Sequence, residues 1–331
     1  MEKIHFMDIG ARWGIGWPFC DLPNANISLI LVEPDPEEAD RLQNFYKGKK
    51  IDIKIFQTAL WSEAISLSLN LTNSPGCSSL FQPNMPVLKK FPDVERFDVS
   101  RNIKIQCDAI DRLFTNNEIK RVDFVKIDVQ GAELEILKGG KSFFRNNLIG
   151  IEVEVEFLEV YKNQPLFAEV DNFVRNELGL ELWDISKTYW KYSHRKMKSV
   201  PAKGKLVFGD ALYFRPIETI ADWLSNFDKE MAKSKIKVLI QTTLLYGYID
   251  YAYVLVEDER INKYFTQEEI HIIIRSIRKV NRGLHFSFKG SGQLYSILLS
   301  IANLFKPVYQ KFASRNDLQL GSKRKTFFWN Y

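Results

Sequence analysis

The sequence predicts an α/β fold: a doubly wound, mostly parallel sheet with helices on both faces, followed by a mainly helical C-terminal region. Three observations carry that prediction. Short apolar runs at residues 4–8, 27–32 and 122–127, read as strands buried on both faces, and a further strand at 51–56 alternate with helix-like patterns. Three of these runs end in or beside an acid (Asp8, Glu33, Asp128), at the strand end where open α/β sheets place their ligands. Beyond Pro216 the apolar spacing is helical, which divides the chain into residues 1–216 and a basic, mainly helical region, 217–331.

The first strand leads into a turn carrying Gly10 and Gly14, with a helix expected behind it whose N-terminus would let backbone amides approach a ligand. The second strand, 27–32, ends at Glu33, 23 residues after Gly10, the place of a carboxylate that accepts two ribose hydroxyls. Pro34, Pro36, Glu37 and Glu38 open a helix that runs to Tyr46. A third strand follows at 51–56, then Ala59-Leu60. Three acids at strand ends would repel the diphosphate of a pyridine dinucleotide and suit a ligand with a cationic centre and free ribose hydroxyls. S-adenosylmethionine is the expected cofactor on that ground.

Residues 62–121 form a less regular insertion, with alternating strands at 66–71 and 102–107. Between them the hydroxyl-rich loop 76–81 reads as a lid or binding loop, or as plain surface decoration. A helical turn at 108–113 leads to the strand 122–127, and a helix from Gly131, with Leu134 and Leu137, is stopped by Gly139-Gly140. A strand at 148–151 runs out into Glu152, Glu154 and Glu156, which share one side of an extended chain. Either the sheet ends at Ile151 and these acids face water, or they line a pocket beside Asp128. A helix at 165–178 and strands at 179–185 and 205–214 close the unit. The intervening segment 187–205 carries seven Lys/Arg, no acid, and Tyr189, Trp190, Tyr192 and His194. It suits a sugar or base bearing phosphate or carboxylate, or is a solvated loop.

In the C-terminal region, helices are expected at 217–232, 235–248, 266–280 and 292–305. The last is strongly apolar, with Ser296, Ser300 and Asn303 on one stripe. It packs on its own domain or a twin subunit, or lies on an anionic membrane. Net charge is +5 over 331 residues, but residues 271–331 hold eleven Lys/Arg against Asp317 alone. That concentration calls for an anionic partner there. Three cysteines without metal-like spacing fit a reducing, cytoplasmic setting. A strand pattern from Ile4 leads us to expect no signal peptide, and no apolar run approaches the roughly 18 residues of a membrane span.

The stretch from Val122 through Lys138, reading VDFVKIDVQGAELEILK, resembles the signature of the FkbM family of methyltransferases. Phe6-Met-Asp-Ile-Gly-Ala, Val32-Glu-Pro-Asp, Ser78-Ser-Leu and Gly209-Asp-Ala-Leu-Tyr-Phe support the likeness, which covers about residues 1–216. The resemblance implies a Rossmann-like class I methyltransferase sheet with an antiparallel last strand. It also implies S-adenosylmethionine-dependent O-methylation of sugars, polyketides or related secondary metabolites. On it, Asp8 and Gly10 match the first cofactor turn, Glu33 the ribose acid and Asp128 the signature acid. Gln130 stands where the family commonly has Glu, so no charge-dependent role is given to it.

An alcohol needs proton removal as it attacks a sulfonium methyl group. Asp128 and Glu152 are the candidates, as base and orienting partner or as joint ligands of a divalent ion such as Mg²⁺, and His194 is a third. The expected cofactor-binding residues are Asp8, Gly10, Gly14 and Glu33. A small-molecule or glycan hydroxyl is the expected acceptor, with a lipid-linked acceptor, peripheral membrane contact or a homo-oligomer as further readings. No Asn/Asp-Pro-Pro-aromatic motif is present, so nucleic-acid bases are not expected substrates. Two other classes stay open: a nicotinamide-dependent oxidoreductase, and a non-enzymatic binding or membrane-docking protein using the basic C-terminal region.

Overall fold

The computed structural model describes residues 1–193, 204–282, 291–304 and 320. In chain order, strand β1 (Ile4–Ile9) is followed by β2 (Ile27–Val32), helix α1 (Pro36–Tyr46) and β3 (Asp52–Phe56). The insertion contributes β4 (Ala59–Leu60), β5 (Ile65–Thr72), the short helix α2 (Met85–Leu88), β6 (Val99–Asp108) and α3 (Ile110–Thr115). Then come β7 (Phe124–Ile127), α4 (Glu133–Gly139), α5 (Lys141–Asn147), β8 (Gly150–Glu156), α6 (Phe167–Leu178), β9 (Glu181–Ile185), β10 (Thr188–Trp190) and β11 (Lys205–Phe214). Helices α7 (Ile217–Leu224), α8 (Lys229–Tyr246), α9 (Ile249–Glu257), α10 (Glu259–Asn262), α11 (Gln267–Arg282) and α12 (Ser291–Leu304) complete the described chain.

The main sheet runs β10-β11-β8-β7-β1-β2-β3, with β9 also paired to β11. β3, β2, β1, β7 and β8 are mutually parallel, and β11 is antiparallel to β8. The chain leaves β1 toward β2 and β3 and returns on the other side at β7, which creates a switch point between β1 and β7. β5 and β6 form the expected antiparallel hairpin, joined by β4 into a second, three-stranded sheet.

Side-chain alternation sorts the core into two layers. Phe6, Leu29, Phe124, Leu212 and Phe214 meet α8 and α9, while Met7, Val125, Ile151 and Val153 meet α3 to α6. The C-terminal helices therefore cover one face of the sheet. α8 is buried on almost every side. Its Gln241 amide donates to the Glu2 carbonyl and accepts from the Glu2 N–H, and Lys235 reaches under β7.

Two expectations are corrected, and one of two alternatives for the glutamate row is removed. The helix expected behind Gly10 is absent: between β1 and β2 there are only 3₁₀ turns, Phe19–Asp21 and Asn24–Asn26. Gly14, Gly16, Pro18 and Pro23 break up the stretch, and Trp13 sits at φ +78°. The helix expected at 217–232 is two, because Asp228 caps α8 by accepting from the Met231 N–H. The sheet does not end at Ile151: β8 runs through Glu156, and Glu152, Glu154 and Glu156 are all buried, not facing water.

Candidate active site

At the switch point the strand ends open into a solvent-connected cleft with a cavity volume of about 170 Å³. Gly10, Glu33 and Asp128 line it, together with Thr58 after β3 and Gly76 and Ser78 from the insertion loop. Leu60, Ile105 and Ile136 supply apolar surface. Gly10 is required by packing: at φ +86°, a Cβ there would lie 1.9 Å from the Asp128 carbonyl oxygen. The loop 76–81 is clamped in place, with the Ser79 hydroxyl donating to the Gln130 carbonyl at 2.6 Å and the Asn70 amide to the Ser79 and Phe81 carbonyls.

Glu33 follows β2 directly and is buried at the cleft wall. Burial lifts its carboxyl to about pKa 7, against the Asp35 N–H and the Arg12 guanidinium, which both favour the anion. Arg12 is committed elsewhere: its Nη2 lies 2.6 Å from Asp35 and 3.8 Å from Glu33. Trp13 beside it holds its indole in solvent at the cleft, while its backbone N–H donates to the Glu38 carboxylate.

Beneath the cleft a charged row crosses the sheet. Asp8 on β1 is opposite Lys126 on β7, and Lys126 is opposite Glu152 on β8. One register further on, Glu154 faces Asp210 on β11. Alternation puts all five on the face that carries α8. Burial raises Asp8 to about 7 and Glu152 to about 8, and the neighbouring carboxylates add to it, with Lys126 pulling the other way. For Lys126 burial disfavours the charge, but Asp128, Glu152, Asp8 and Asp210 outweigh it and raise its pKa. Glu133, Glu154 and Glu156 form a second group with oxygens within 4.8 Å of one another. Burial and mutual repulsion raise the pKa of Glu154 and Glu156 well above that of an ordinary carboxyl.

Asp128 stands where the row meets the cleft, its side chain 32% exposed and 3.4 Å from Lys126 Nζ. Gln130, given no charge-dependent role from the sequence, links the two acidic groups. Its amide donates to Asp128 at 3.1 Å and Glu154 at 2.7 Å, and its carbonyl accepts from Tyr161 at 3.0 Å. A glutamate there would bring a further carboxylate in place of two donors. Lys126 was missed because it sits inside an apolar run; an amide and a lysine among acids are the available signal.

The predicted residues divide accordingly. Gly10, Glu33 and Asp128 share the cleft. Asp8 lies below it, buried. Gly14 does not line it and faces Tyr46 and Leu42 of α1. Glu152 does not line it either: the Tyr246 hydroxyl of α8 donates to it at 2.6 Å. Against the alternative of a Mg²⁺ held jointly by Asp128 and Glu152, Lys126 already supplies positive charge to both. His194 falls outside the described residues. Of the basic aromatic segment, Trp190 is buried against Phe91, Phe97 and Phe208 and offers no free ring face, while Tyr192 stacks on Phe91 in the open.

The chain matches the methyltransferase FkbM domain over residues 8–181, more than half its length. No curated protein matches it. Among solved structures it is similar to the methyltransferase FkbM from Methylobacillus flagellatus KT, at 16% identity and TM-score 0.36, over 64% of this chain and 43% of that one. It is also similar to a putative RNA methyltransferase from Pyrococcus horikoshii (14%, TM-score 0.30, 66% and 76% covered). A SAM-dependent methyltransferase from Aquifex aeolicus gives 12%, TM-score 0.30, and 64% and 83%. The chain thus spans less than half the length of the Methylobacillus flagellatus protein. On the domain match, it belongs to the FkbM methyltransferase family.

Proposed function

We propose that this FkbM-family methyltransferase binds S-adenosylmethionine in the cleft and methylates a hydroxyl of a sugar, glycan, glycolipid or secondary metabolite. The observation that carries the reading is the charge count at the strand ends. Among the described residues Asp8, Asp128, Glu152 and Asp210 gather around a single lysine, Lys126, and Glu154 lies beside Asp128 and Asp210. A ligand bringing positive charge completes such a site, and one bringing phosphate is repelled.

The residues present fit that cofactor. Glu33 offers carboxylate oxygens to ribose hydroxyls, Leu60, Ile105 and Ile136 offer apolar surface to a base, and Asp128 with the acids behind it offers negative charge to the ammonium and sulfonium. Bound there, S-adenosylmethionine supplies an electrophilic methyl group. Asp128 is the carboxylate within the cleft that can take the proton of an attacking hydroxyl, and Gln130 and Lys126 hold it in one orientation. Positioning supplies much of the rate in such an in-line displacement.

The test is Asp128→Asn, which keeps the shape and the Gln130 contact. Turnover with a hydroxyl acceptor falls by about 10²–10⁴ while the melting temperature holds. Unaltered turnover would remove Asp128 from the chemistry.

A further inference from the structure

We propose that α12 is an interfacial helix that docks the protein on an anionic lipid surface. This goes beyond methyl transfer and does not rest on it. Residues 291–304 contain no charged side chain. Within them Leu294, Ile297, Leu298 and Ile301 fall at i, i+3, i+4 and i+7, so they form one stripe of the helix. All four are exposed, by 45 to 57%. Elsewhere in the C-terminal region α8 and α9 bury most of their aliphatic side chains in the core, with Val254 of α9 left exposed. The α12 stripe is a contiguous apolar patch, which on a soluble surface marks an interaction site and not chance scatter.

Charge selects the occupant. The stretch 271–331 that contains α12 carries eleven Lys/Arg and one acid, and Lys289 and Lys306 bracket the helix in sequence. Two copies meeting through this stripe would bring two such basic stretches together, at a Coulomb cost. A surface of anionic headgroups over an apolar interior matches both features, the basic sequence and the aliphatic stripe. At 14 residues, about 21 Å long, α12 is too short to cross a bilayer. Among the described residues no helix is long and apolar enough to do so. It lies along the surface.

The experiment is co-sedimentation of the full chain with phosphatidylglycerol/phosphatidylcholine vesicles and with phosphatidylcholine vesicles alone, for the wild type and Ile297→Glu/Leu298→Glu. The wild type pellets with the anionic vesicles and at least about tenfold less with neutral ones. The double variant loses about tenfold or more of that binding with an unchanged melting temperature, since both side chains are exposed. The proposal is overturned if the wild type stays in the supernatant, if both vesicle types bind equally, or if the variant binds as before. A lowered melting temperature of the variant would show that the stripe packs on the protein itself. A concentration-dependent dimer that the variant dissociates would assign it to a second copy; either result also overturns the proposal.

Discussion

Two buried acidic regions lie at opposite ends of the same sheet, and their counterions differ. At the amino end, Asp123 accepts from Lys235 at 2.7 Å, Arg121 at 3.1 Å and the His5 N–H at 3.0 Å. Lys235 spends its other protons on the carbonyls of Val122 and Asn147. Burial works against the Asp123 charge, yet the two cations outweigh it and its pKa falls. At the carboxyl end, Asp8, Glu152 and Asp210 share Lys126 alone among the described residues, Glu154 has further acids beside it, and all four are pushed up. A saturated ion pair with every donor used is a structural device; here it pins α8 beneath β7. A surplus of buried carboxylate is held by protons, and on the proposed function these give way to the cationic donor.

The sharpest way to break this comparison is to remove a partner at each end. Lys235→Met leaves Asp123 buried with only Arg121, and unfolding free energy falls by about 3–5 kcal/mol in chemical denaturation. A smaller loss would mean that the amino-end pair is not what holds α8. Asp8→Asn removes an acid from the surplus end. It leaves stability unchanged or raises it by about 1 kcal/mol at pH 8, while weakening binding of the sulfonium donor about tenfold. A loss comparable to that of Lys235→Met would show the two ends to be alike. Gln130→Glu exchanges two donors for a further acid, and costs about 1–3 kcal/mol at pH 8, less at pH 6 where the added carboxyl can hold a proton.

The two ends also respond to pH with opposite signs. Raised carboxyls bind more protons in the folded than in the unfolded chain. Their contribution is fully present below about pH 4 and is lost as pH rises through about 7 for Asp8 and about 8 for Glu152. Asp123, whose pKa is lowered, contributes above its unfolded value and loses that contribution as pH falls through its folded one.

Much of this was legible in the residues. Sequence pattern located β1, β2, α1, β3, β7 and β11 within a residue or two, most clearly for β1, β2 and β7, whose apolar runs are those of strands buried in the sheet. Glu33 and Asp128 were legible from their places at strand ends. What escaped depends on partners far away in sequence. Glu152 looks like any strand-end acid until Tyr246, 94 residues on, is seen to cap it. Lys235 reads as a solvated lysine until α8 proves buried on both sides of it. The loss of a helix after Gly10 was written in Pro18 and Pro23, which a glycine-turn pattern outweighed too readily.

The most direct measurement is isothermal titration of the wild type with S-adenosylmethionine at pH 6 and pH 8, in buffers of different ionisation enthalpy, alongside a pyridine dinucleotide. If buried carboxyls wait for a cation, the donor binds more tightly at pH 8, and binding at the lower pH releases protons. Affinity independent of pH with no proton release, or a dinucleotide that binds while the sulfonium donor does not, would contradict the account.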